Sequence, residues 1–347
     1  MTTARKPTQR DVAKLAGVST AVVSRVLNPD GAGTVRVGPE AEARVKRAVE
    51  QLGYVPNPVA RNLATGRTHL IGVFTYEPIF PTAQRDFYFP FLVGIERAAE
   101  ERGLDLLLFT GSSGPARARR AFRDGVNRMR LADGALLLGR TPDRKELARL
   151  ADEGYPMVYI GRREVDGHRV SFVAADYAGG TADLATYLVE LGHRRLAYLG
   201  VPDPEESATD RERGYRAALE RIGLARTIHR IRKPAAAVDA HLVRDLHTEG
   251  FTAVLVESDA FARRLLAAAA VARIDVPRQL SFAVLGDPLD PATVDPGWTT
   301  FRIPREEMGS HAFDSLVRAI EDPSSMPRQV YLPCTFVPGS TTVRPGA

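Results

Sequence analysis

The 347-residue sequence predicts a small N-terminal all-α unit followed by a larger α/β core built on doubly wound parallel sheets. The chain is too long for one ordinary hydrophobic core, so two or three compact units are expected. Residues 1–70 contain eleven Lys/Arg and five Asp/Glu, a charge of +6, whereas the whole chain carries +5. From about residue 70, short apolar runs alternate with helical stretches, which is typical of parallel sheets covered on both faces.

Composition and charge narrow the class of protein. A basic head on a nearly neutral body is expected of a nucleic-acid binder, although solvated basic ends are also common. With 44% hydrophobic and 26% charged residues, the chain is of the globular class. Apolar runs such as residues 104–109 are too short to span a membrane, and no export signal follows the basic N-terminal residues. The single cysteine, Cys334, excludes an intramolecular disulfide framework and fits a reducing cytoplasm.

Three short helices are predicted within the first fifty-odd residues. Thr8 can cap the first helix, and Asp11 completes a pair that resembles a capping box. Gly17 ends this helix, Ser19 is placed to cap the second, and a third helix is expected over residues 39–52. The predicted buried faces contain Val12, Leu15 and Ala16 in the first helix, Val22, Val23, Val26 and Leu27 in the second, and Val45, Ala48, Val49 and Leu52 in the third.

The second of these helices has a compact outer face that is free of large apolar side chains. It contains Thr20, Ala21, Ser24, Arg25 and Asn28. Two helices joined by a tight turn with a glycine form a helix-turn-helix, whose second helix enters the major groove of DNA. The alternative is an ordinary three-helix bundle. The basic charge and the small outer side chains favour the helix-turn-helix.

A linker follows the third helix. Asn57 as a cap and Pro58 at the first helical position predict a brief helix that ends near residue 64. Such a short helix is not stable alone in water. It should form only when something orders it, which makes this segment a candidate switch.

The core is predicted to alternate strands and helices. Ligands of open parallel sheets lie beyond the carboxyl ends of the strands, although this fold by itself names no function. Predicted strands cover residues 70–75, 104–110, 134–138, 157–160, 171–174, 195–199, 252–256 and 281–285. Predicted helices lie near residues 90–102, 116–129, 144–153, 178–191, 208–223, 237–249 and 260–273.

Enzymes and exported binding proteins are the competing classes. The sequence has no Gly-x-Ser-x-Gly elbow, phosphate loop or dinucleotide fingerprint. Its seven histidines are scattered, and no metal or cofactor is expected. His193, in a helix-to-strand turn, fits a cap better than a catalyst. We therefore do not expect an enzyme. An exported sugar-binding protein is not expected either, because it would need an export signal in place of the basic head.

Several motifs together resemble the LacI/GalR repressors. DVAKLAGVSTAVVSRVLN (residues 11–28) is similar to their helix-turn-helix, and QLGYVPNPVARNLATGRT (residues 51–68) to their hinge. Downstream, ELGHRRLAYLG (190–200), RERGYRAALE (211–220) and TTFRIPREEMG (299–309) follow in the family's order. The resemblance covers the full chain, and the first two motifs are highly specific.

The resemblance implies a core of two similar lobes, like a periplasmic sugar-binding protein, with an effector in the cleft between them. The chain would cross between lobes near Ala175, Ile303 and Arg328. Because no apolar heptads end the sequence, a homodimer is expected instead of a tetramer. The implied parts are a DNA-binding head (1–55), a hinge helix and linker (56–68), and a core (69–347), with lobe one at about 69–175 and 304–328 and lobe two at about 176–303 and 329–347.

For DNA, the resemblance implies base readout by Thr20, Ala21 and Arg25. Arg25 can offer a bidentate fork to a guanine, and Ala21 suits a thymine methyl group. Phosphate contacts are implied for Thr8, Ser24 and Asn28, and minor-groove contacts for the hinge residues Asn57, Ala60 and Leu63. Leu63 would wedge between base steps, although it could instead be a core residue of the hinge. A dimer should read a pseudo-palindromic, double-stranded operator.

The sequence departs from the family before the third helix. The preceding loop, residues 29–37, is about four residues longer than the resemblance to the family implies. The helix opens without the usual serine cap and threonine-arginine pair. A usual phosphate contact is therefore in doubt, and Arg36 or Arg44 could replace it.

Effector-binding residues are implied less sharply. Phe87 and Tyr88 match an aromatic pair that flanks the ligand, or they pack at a helix start. Arg211, Arg162 and Asp287 match polar cleft positions, although several neighbours differ from the family. A sugar is expected, while an acidic sugar, a sugar phosphate or a nucleoside stays open. Inducer or co-repressor, and repressor or activator, also stay open, because only the operator position separates the last two.

Overall fold

The computed structural model describes residues 7–27, 36–55, 67–77, 85–111, 119–288 and 297–346. The chain divides into two compact units, Met1–His69 and Leu70–Ala347. No helix in these described ranges is long and apolar enough to cross a membrane.

The N-terminal unit contains α1 (Gln9–Ala16), α2 (Thr20–Leu27) and α3 (Pro39–Leu52). The capping box at the start of α1 is confirmed. The Asp11 carboxylate accepts hydrogen bonds from the Thr8 backbone N–H at 2.8 Å and from its hydroxyl at 2.6 Å. Gly17 ends α1 with φ of 64°, a left-handed conformation that glycine adopts without a steric penalty. The hydroxyl of Ser19 accepts from the Val22 N–H at 3.3 Å, so the predicted second cap is also present.

A small apolar core joins the three helices. Its buried residues in α1 are Val12, Ala13 and Ala16, and these pack with residues of α2 and α3. Leu15 was predicted to lie on the same face, but it is 46% exposed. The buried stripe of α1 runs through Ala13 instead, which turns Leu15 away from α2 and α3. The fully packed members from the other two helices are Val23, Val45 and Ala48.

The second unit is built from alternating strands and helices. The helices are α4 (Arg85–Arg102), α5 (Arg144–Asp152), α6 (Tyr177–Glu190), α7 (Glu206–Arg221), α8 (Ala240–Thr248), α9 (Asp259–Ala272) and α10 (Arg305–Glu321). The strands are β1 (Leu70–Thr75), β2 (Asp105–Phe109), β3 (Phe122–Arg123), β4 (Val126–Asn127), β5 (Gly134–Leu138), β6 (Met157–Ile160), β7 (Phe172–Ala175), β8 (Leu196–Gly200), β9 (His229–Arg232), β10 (Ala253–Val256), β11 (Ser281–Val284), β12 (Thr300–Arg302), β13 (Gln329–Leu332) and β14 (Thr335–Val337).

Twelve of these strands form two six-stranded sheets, one for each lobe. The first sheet has the order β13-β7-β6-β5-β1-β2, and its paired strands are all parallel. The second has the order β14-β12-β11-β10-β8-β9 and is parallel except for the antiparallel pair β12 and β14. The inner strands of both sheets are almost entirely buried, as apolar runs covered by helices on both faces should be, whereas the edge strands are partly exposed. The two-lobed architecture of parallel sheets is therefore confirmed.

The chain passes between lobes from β7 to α6, from β12 to α10, and from β13 to β14. The third passage was expected near Arg328, and the structure corrects this position. Residues Gln329–Leu332 pair in parallel with β7, in register from Phe172 to Ala175. Because this pairing satisfies the backbone of the segment in the first sheet, lobe one extends to Leu332 and the passage lies at residues 333–334.

The predicted helix over residues 116–129 is wrong within its described part. Residues 122–127 form the antiparallel hairpin of β3 and β4 instead. Asp124 and Gly125 make its turn, with φ of 51° and 77°. An Asp-Gly pair is strongly favoured in such two-residue turns, because both positions need a left-handed backbone. A short 3₁₀ helix, Arg128–Leu131, follows the hairpin.

Helices α4 and α10 of lobe one touch at backbone distance. A Cβ atom on Gly94 would lie 1.9 Å from the carbonyl oxygen of Glu306, and one on Gly309 would lie 2.3 Å from that of Phe91. Neither position can carry a side chain unless the helices move apart. The two glycines therefore fix α10 against α4.

The C-terminal segment is fastened to lobe two by a buried histidine. His193 is 1% exposed, and its ring nitrogens lie 2.8 Å from the Thr252 hydroxyl and 2.9 Å from the carbonyl oxygen of Val343. The carbonyl can only accept, so Nε2 carries the proton and Nδ1 accepts from the hydroxyl. This neutral tautomer satisfies both partners. Ser281 adds a second tie, since its hydroxyl accepts from the Val343 N–H at 3.1 Å.

We predict that His193 makes the stability of the core depend on pH. Burial lowers the pKa of His193 below its ordinary value of about 6.5, so the neutral ring is favoured in the folded state. This contribution is present above that value and is lost as the pH falls through the folded-state pKa, by at most about 1.4 kcal/mol per pH unit. Urea unfolding from pH 7.5 to 5 should show a smaller pH dependence in His193→Gln than in the wild type. The exposed His241→Gln is the control, and equal slopes in all three proteins would contradict the prediction.

Candidate functional site

The outer face of α2 is presented to solvent in the described part of the head. Thr20 and Ala21 are exposed, and Ser24 and Arg25 are half-buried. On the opposite side of the helix, Val23 is fully buried in the small core. Packing therefore fixes which side of α2 faces outward. The caps at both ends of the α1–α2 turn hold the first residues of α2 in place.

The other residues predicted to contact DNA differ in their exposure and in their hydrogen-bond partners. Thr8 is exposed, but its hydroxyl is bonded to Asp11 in the cap of α1. Arg44 of α3 donates its Nε to the carbonyl oxygen of Ala16 at 3.1 Å, which ties α3 to the end of α1. Arg36, the other residue named for the phosphate contact in doubt, is exposed. Asn28 and the hinge residues Asn57, Ala60 and Leu63 lie outside the described residues.

In the core, polar side chains follow the strands at their carboxyl ends. Glu77 follows β1, Arg140 follows β5 and Arg162 follows β6 in lobe one. Glu257 follows β10 and Asp287 follows β11 in lobe two. Because parallel strands all end at one edge, each lobe gathers its polar groups at one place. Direct contacts between these two edges, given below, show that the edges face each other.

The aromatic pair at the start of α4 is divided between packing and the cleft. The rings of Phe87 and Tyr88 meet edge to face, with centroids 4.9 Å apart. Tyr88 is 2% exposed and donates its hydroxyl to Glu77 at 2.7 Å, so it packs and positions a carboxylate. Phe87 is half-buried, and the guanidinium carbon of Arg305 lies 5.6 Å from the centre of its ring. Phe87 is therefore the member of the pair that faces the crossing between lobes.

Glu77 was not among the site residues predicted from the sequence. Its carboxylate accepts hydrogen bonds from the backbone N–H groups of Arg140 and Thr141, both at 2.9 Å, and from the Thr141 hydroxyl at 2.9 Å. Burial raises the pKa of Glu77, but the hydrogen bonds from Tyr88, Thr141 and Arg140 outweigh it and hold the pKa below its ordinary value. A charged carboxylate therefore joins the ends of β1 and β5. Its position directly after a predicted buried strand was the available signal.

Arg211 of α7 is held entirely within lobe two. Its Nε donates to the carbonyl oxygen of Leu285 at 2.7 Å and its Nη1 to that of Ser207 at 3.1 Å. Its guanidinium carbon also lies 3.9 Å from the centre of the Tyr177 ring. The side chain is thus clamped at the end of β11, next to Gly286. This is the position expected of a ligand-binding arginine at the carboxyl end of a strand.

Both carboxylate oxygens of Asp287 contact residues of the second crossing between lobes, from β12 to α10. One carboxylate oxygen accepts from the Ile303 N–H at 2.8 Å, and the other pairs with Arg305, the first residue of α10. Arg305 is 6% exposed and was not identified from the sequence. Asp287, Arg305 and Phe87 consequently form one continuous group at the crossing. Their contact depends on the fold, since they are far apart in sequence.

Arg162 reaches from lobe one into lobe two. Its Nε donates to the Asp210 carboxylate at 2.8 Å, and its Nη2 donates to the carbonyl oxygen of Glu206 at 3.2 Å. Its Nη1 pairs with Glu164. The side chain is 9% exposed, so these partners surround most of it. Arg162 therefore joins the two lobes, a role that was not predicted from the sequence.

Two further carboxylates belong to lobe two. Burial raises the pKa of Glu257, although the Val201 N–H, which donates to it at 2.8 Å, opposes this shift. Burial also raises the pKa of Glu205, and the charges of Arg163 and Arg140 oppose it. Both acids interact electrostatically with Arg140 of lobe one. Across the described residues, no group of three or more His, Cys, Asp and Glu side chains is arranged to hold a metal ion.

Two family models match the chain. The model for bacterial regulatory proteins of the lacI family matches residues 8–57, which contain α1 to α3. A model for a periplasmic binding protein-like domain matches residues 185–342, which contain most of lobe two and the second and third crossings. The two matches fall on the two compact units described above.

Among curated proteins, the chain is similar to the ribose operon repressor of Escherichia coli strain K12, with 32% identity over 336 residues, 94% of this chain and 96% of that one. It is 38% identical to the transcriptional regulator CelR of Thermobifida fusca over 221 residues, which is 63% of each chain.

Among solved structures, a CelR–cellobiose complex matches with a TM-score of 0.61 and 27% identity, covering 96% of this chain and 99% of that one. The lac repressor dimer bound to operator and the anti-inducer ONPF matches with a TM-score of 0.68 and 23% identity, covering 98% and 100% of the two chains, and supports the fold. The helix-turn-helix head, the two-lobed core and these full-length similarities lead to one conclusion. The chain belongs to the lacI family of bacterial regulatory proteins and is a DNA-binding transcriptional regulator.

Proposed function

We propose that the protein is a homodimeric repressor of genes for sugar uptake or catabolism, released from or fixed on its operator by a sugar bound between the core lobes. The observation that carries this proposal is the outer face of α2, which is held outward by the packing of Val23 and by two helix caps. In this role the protein binds double-stranded DNA in the cytoplasm and catalyses no reaction.

At the operator, Arg25 is proposed to donate a bidentate fork to a guanine, with Ala21 against a thymine methyl group and Thr20 on a neighbouring base edge. Ser24, Thr8 and Asn28 are proposed to hold phosphates, which set the register of the head. The hinge residues Asn57, Ala60 and Leu63 are proposed to enter the minor groove, with Leu63 as the apolar wedge. A second copy would double these contacts on a pseudo-palindrome.

For the effector, we propose an uncharged sugar in contact with Phe87 and Arg211. An aromatic face suits a sugar ring, and Arg211 is already oriented by Leu285 and Ser207. Glu205 and Glu257 add carboxylates, which accept hydrogen bonds from sugar hydroxyls and repel a phosphate group. Ribose and cellobiose appear in the names of the related repressor and of the CelR complex, which supports a neutral sugar. Asp287 would act beside the ligand by holding Arg305.

A second copy of the chain is proposed to cover the β2 edge of lobe one. In the described sheet, β2 is the last strand, and Leu106 and Leu108 on it are 39% and 37% exposed. Phe89 of α4 is 52% exposed. An apolar edge strand that stays uncovered invites uncontrolled pairing with other chains. Covering it with the same edge of a second copy would remove this hazard and bring two heads together.

Selection from randomised duplexes at near-physiological, fixed salt tests DNA recognition. We expect enrichment of one short pseudo-palindrome, because base contacts on α2 add specificity to salt-dependent phosphate binding. If nothing is enriched, the selection is repeated with a panel of neutral sugars, which would supply a co-repressor. Failure with and without sugars would overturn the proposed operator binding.

On the selected site, Arg25→Ala should weaken binding by about 5- to 150-fold and relax the preference at one base pair. Arg47→Ala is the matched control, since Arg47 lies on α3 and donates its Nε to the Ala43 carbonyl oxygen of its own helix. Binding titrations on the selected site and on single-base variants provide the measurement. An Arg25→Ala protein with unchanged base preference would contradict the assigned role.

Arg211→Ala and Arg211→Lys should bind the operator like the wild type but lose the response to the sugar. Lysine keeps the charge but lacks the fork that Leu285 and Ser207 orient. Calorimetric titration with ribose, cellobiose and glucose 6-phosphate measures the effector affinity, and the phosphorylated sugar should bind most weakly. Arg216→Ala, an exposed arginine on the same helix, is the control. Sugar binding that survives both Arg211 variants would move the effector site elsewhere.

Leu108→Asp should convert the dimer into a monomer. An aspartate on β2 would bury a charge in the proposed interface, which costs several kcal/mol unless it finds a partner. The molar mass measured by light scattering during gel filtration should fall from twice 37.8 kDa to 37.8 kDa. Leu131→Asp, which changes a leucine that is 67% exposed in the 3₁₀ helix after β4, should stay dimeric. A dimeric Leu108→Asp protein would exclude this edge as the interface.

A further inference from the structure

A set of ion pairs crosses from lobe one to lobe two beside the proposed effector site, and four of its five side chains are buried, whereas Arg144 is 51% exposed. We name it the interlobe ion cluster. Its basic members on lobe one are Arg144, the first residue of α5, and Arg162 and Arg163, which follow β6. Its acidic members on lobe two are Glu206, the first residue of α7, and Asp210, one turn further along that helix.

Glu206 is the centre of the cluster. One of its carboxylate oxygens accepts from Arg144 Nη1 at 2.7 Å and from the backbone N–H of Glu164 at 3.1 Å. The other oxygen lies 3.5 Å from Arg163 Nη1. All three partners belong to lobe one. Although burial raises the pKa of Glu206, the hydrogen bond from Arg144 and its other donors lower it below the ordinary value, so the group is charged.

Asp210 makes the second connection. It accepts from Arg162 Nε at 2.8 Å, and its other oxygen lies 2.8 Å from Arg213 Nη2 of its own helix. Arg162 also donates to the main-chain carbonyl of Glu206. Both acids project from the first turns of α7, where the helix dipole favours negative charge. A single helix end therefore meets three arginines of the opposite lobe.

Burial gives these contacts their weight. The side chains of Glu206, Asp210 and Arg162 are 5%, 3% and 9% exposed. Exposed ion pairs add little to stability, but loss of one partner from a buried pair leaves an uncompensated charge. These ion pairs form in one arrangement of the lobes, and a relative movement of α7 against β6 would break several of them together. The cluster consequently selects that arrangement.

Arg162 and Arg211 differ in whether their partners belong to the opposite lobe. Arg211 is held by Leu285, Ser207 and Tyr177, all in lobe two, and can meet a ligand without any contact to lobe one. All three nitrogens of the Arg162 guanidinium already have partners, and two of those partners are on α7. Asp210 and Arg211 are adjacent in sequence, but Asp210 contacts the opposite lobe, whereas Arg211 lies at the proposed ligand position.

We propose that the interlobe ion cluster fixes the arrangement of the two lobes without an effector, and that Arg162 sets effector affinity through this arrangement and not by touching the effector. The second half rests on the proposed function. A ligand that binds both lobes in this arrangement has an apparent affinity proportional to the fraction of molecules that adopt it. Weakening the cluster lowers that fraction and hence the affinity.

Hydrogen exchange on the full-length protein without sugar tests the first half. The reporter is the backbone amide of Glu164, whose acceptor, Glu206, belongs to the other lobe. In Glu206→Gln this amide should exchange at least tenfold faster than in the wild type. The matched control is Glu212→Gln. Glu212 lies on the same helix, is 10% exposed and pairs with Arg230 and Arg232, but all three residues belong to lobe two.

The two glutamine variants should lose similar thermal stability, while only Glu206→Gln should speed exchange at Glu164. Asp210→Asn, which leaves Glu206 in place, is the second variant if Glu206→Gln does not fold, and it should speed the same amide. Unchanged exchange at Glu164 in the folded variants would overturn the proposal. Equal acceleration in Glu212→Gln would also overturn it, because the effect would then be general destabilisation.

Calorimetric titration with ribose and cellobiose tests the second half. Arg162→Gln and Asp210→Asn should lower the affinity equally, within about twofold, and the double variant should bind no more weakly than either alone, as expected of partners in one interaction. An affinity loss in Arg162→Gln tenfold larger than in Asp210→Asn would show that Arg162 touches the sugar. Wild-type protein that binds neither sugar would overturn the proposed effector class, whereas the exchange result would still decide whether the cluster joins the lobes.

Discussion

Strands of a parallel sheet all end at the same edge, and this constraint determines where the chemistry of the core can lie. The strands themselves are buried and apolar, so polar groups occur in the residues that follow them. Glu77, Arg162, Glu257 and Asp287 are of this kind. The chain crosses between the sheets three times, and the two edges face each other. Charged side chains of one lobe therefore form ion pairs with those of the other. The ion pairs, the clamped arginine and the aromatic ring all follow from this arrangement.

Local signals were sufficient for most of the elements. The capping box of Thr8 and Asp11 and the buried apolar runs of the core predicted helices and strands that the structure contains. The helix expected over residues 116–129 failed because the Asp124-Gly125 turn outweighed a weak helical pattern. The last passage between lobes was placed too early, since nothing within Gln329–Leu332 itself shows that its partner is β7, more than 150 residues away. Pairing over such distances has no local signature.

The site was predicted in a similarly uneven way. Resemblance to the family pointed to Arg211 and Phe87, and both stay predictions, supported by the clamp that orients Arg211 and by the contact between Phe87 and Arg305. It did not point to Arg305 or Asp210, because an ion-pair partner is defined by tertiary structure and not by a spacing in sequence. Tyr88 is a third case. The resemblance left open whether Tyr88 flanks the ligand or packs at the helix start, and its buried ring and its hydrogen bond to Glu77 favour packing.

The way in which Arg211 is fixed has a consequence for how the proposed effector site can change over evolution. Two of its three holding contacts are made to main-chain carbonyl oxygens, those of Leu285 and Ser207. Every amino acid supplies the same carbonyl, so substitutions at these two positions leave both acceptors available. The arginine can therefore stay in one place while the side chains around it are exchanged. Substitutions at neighbouring positions could therefore change which effector is bound while Arg211 keeps its position.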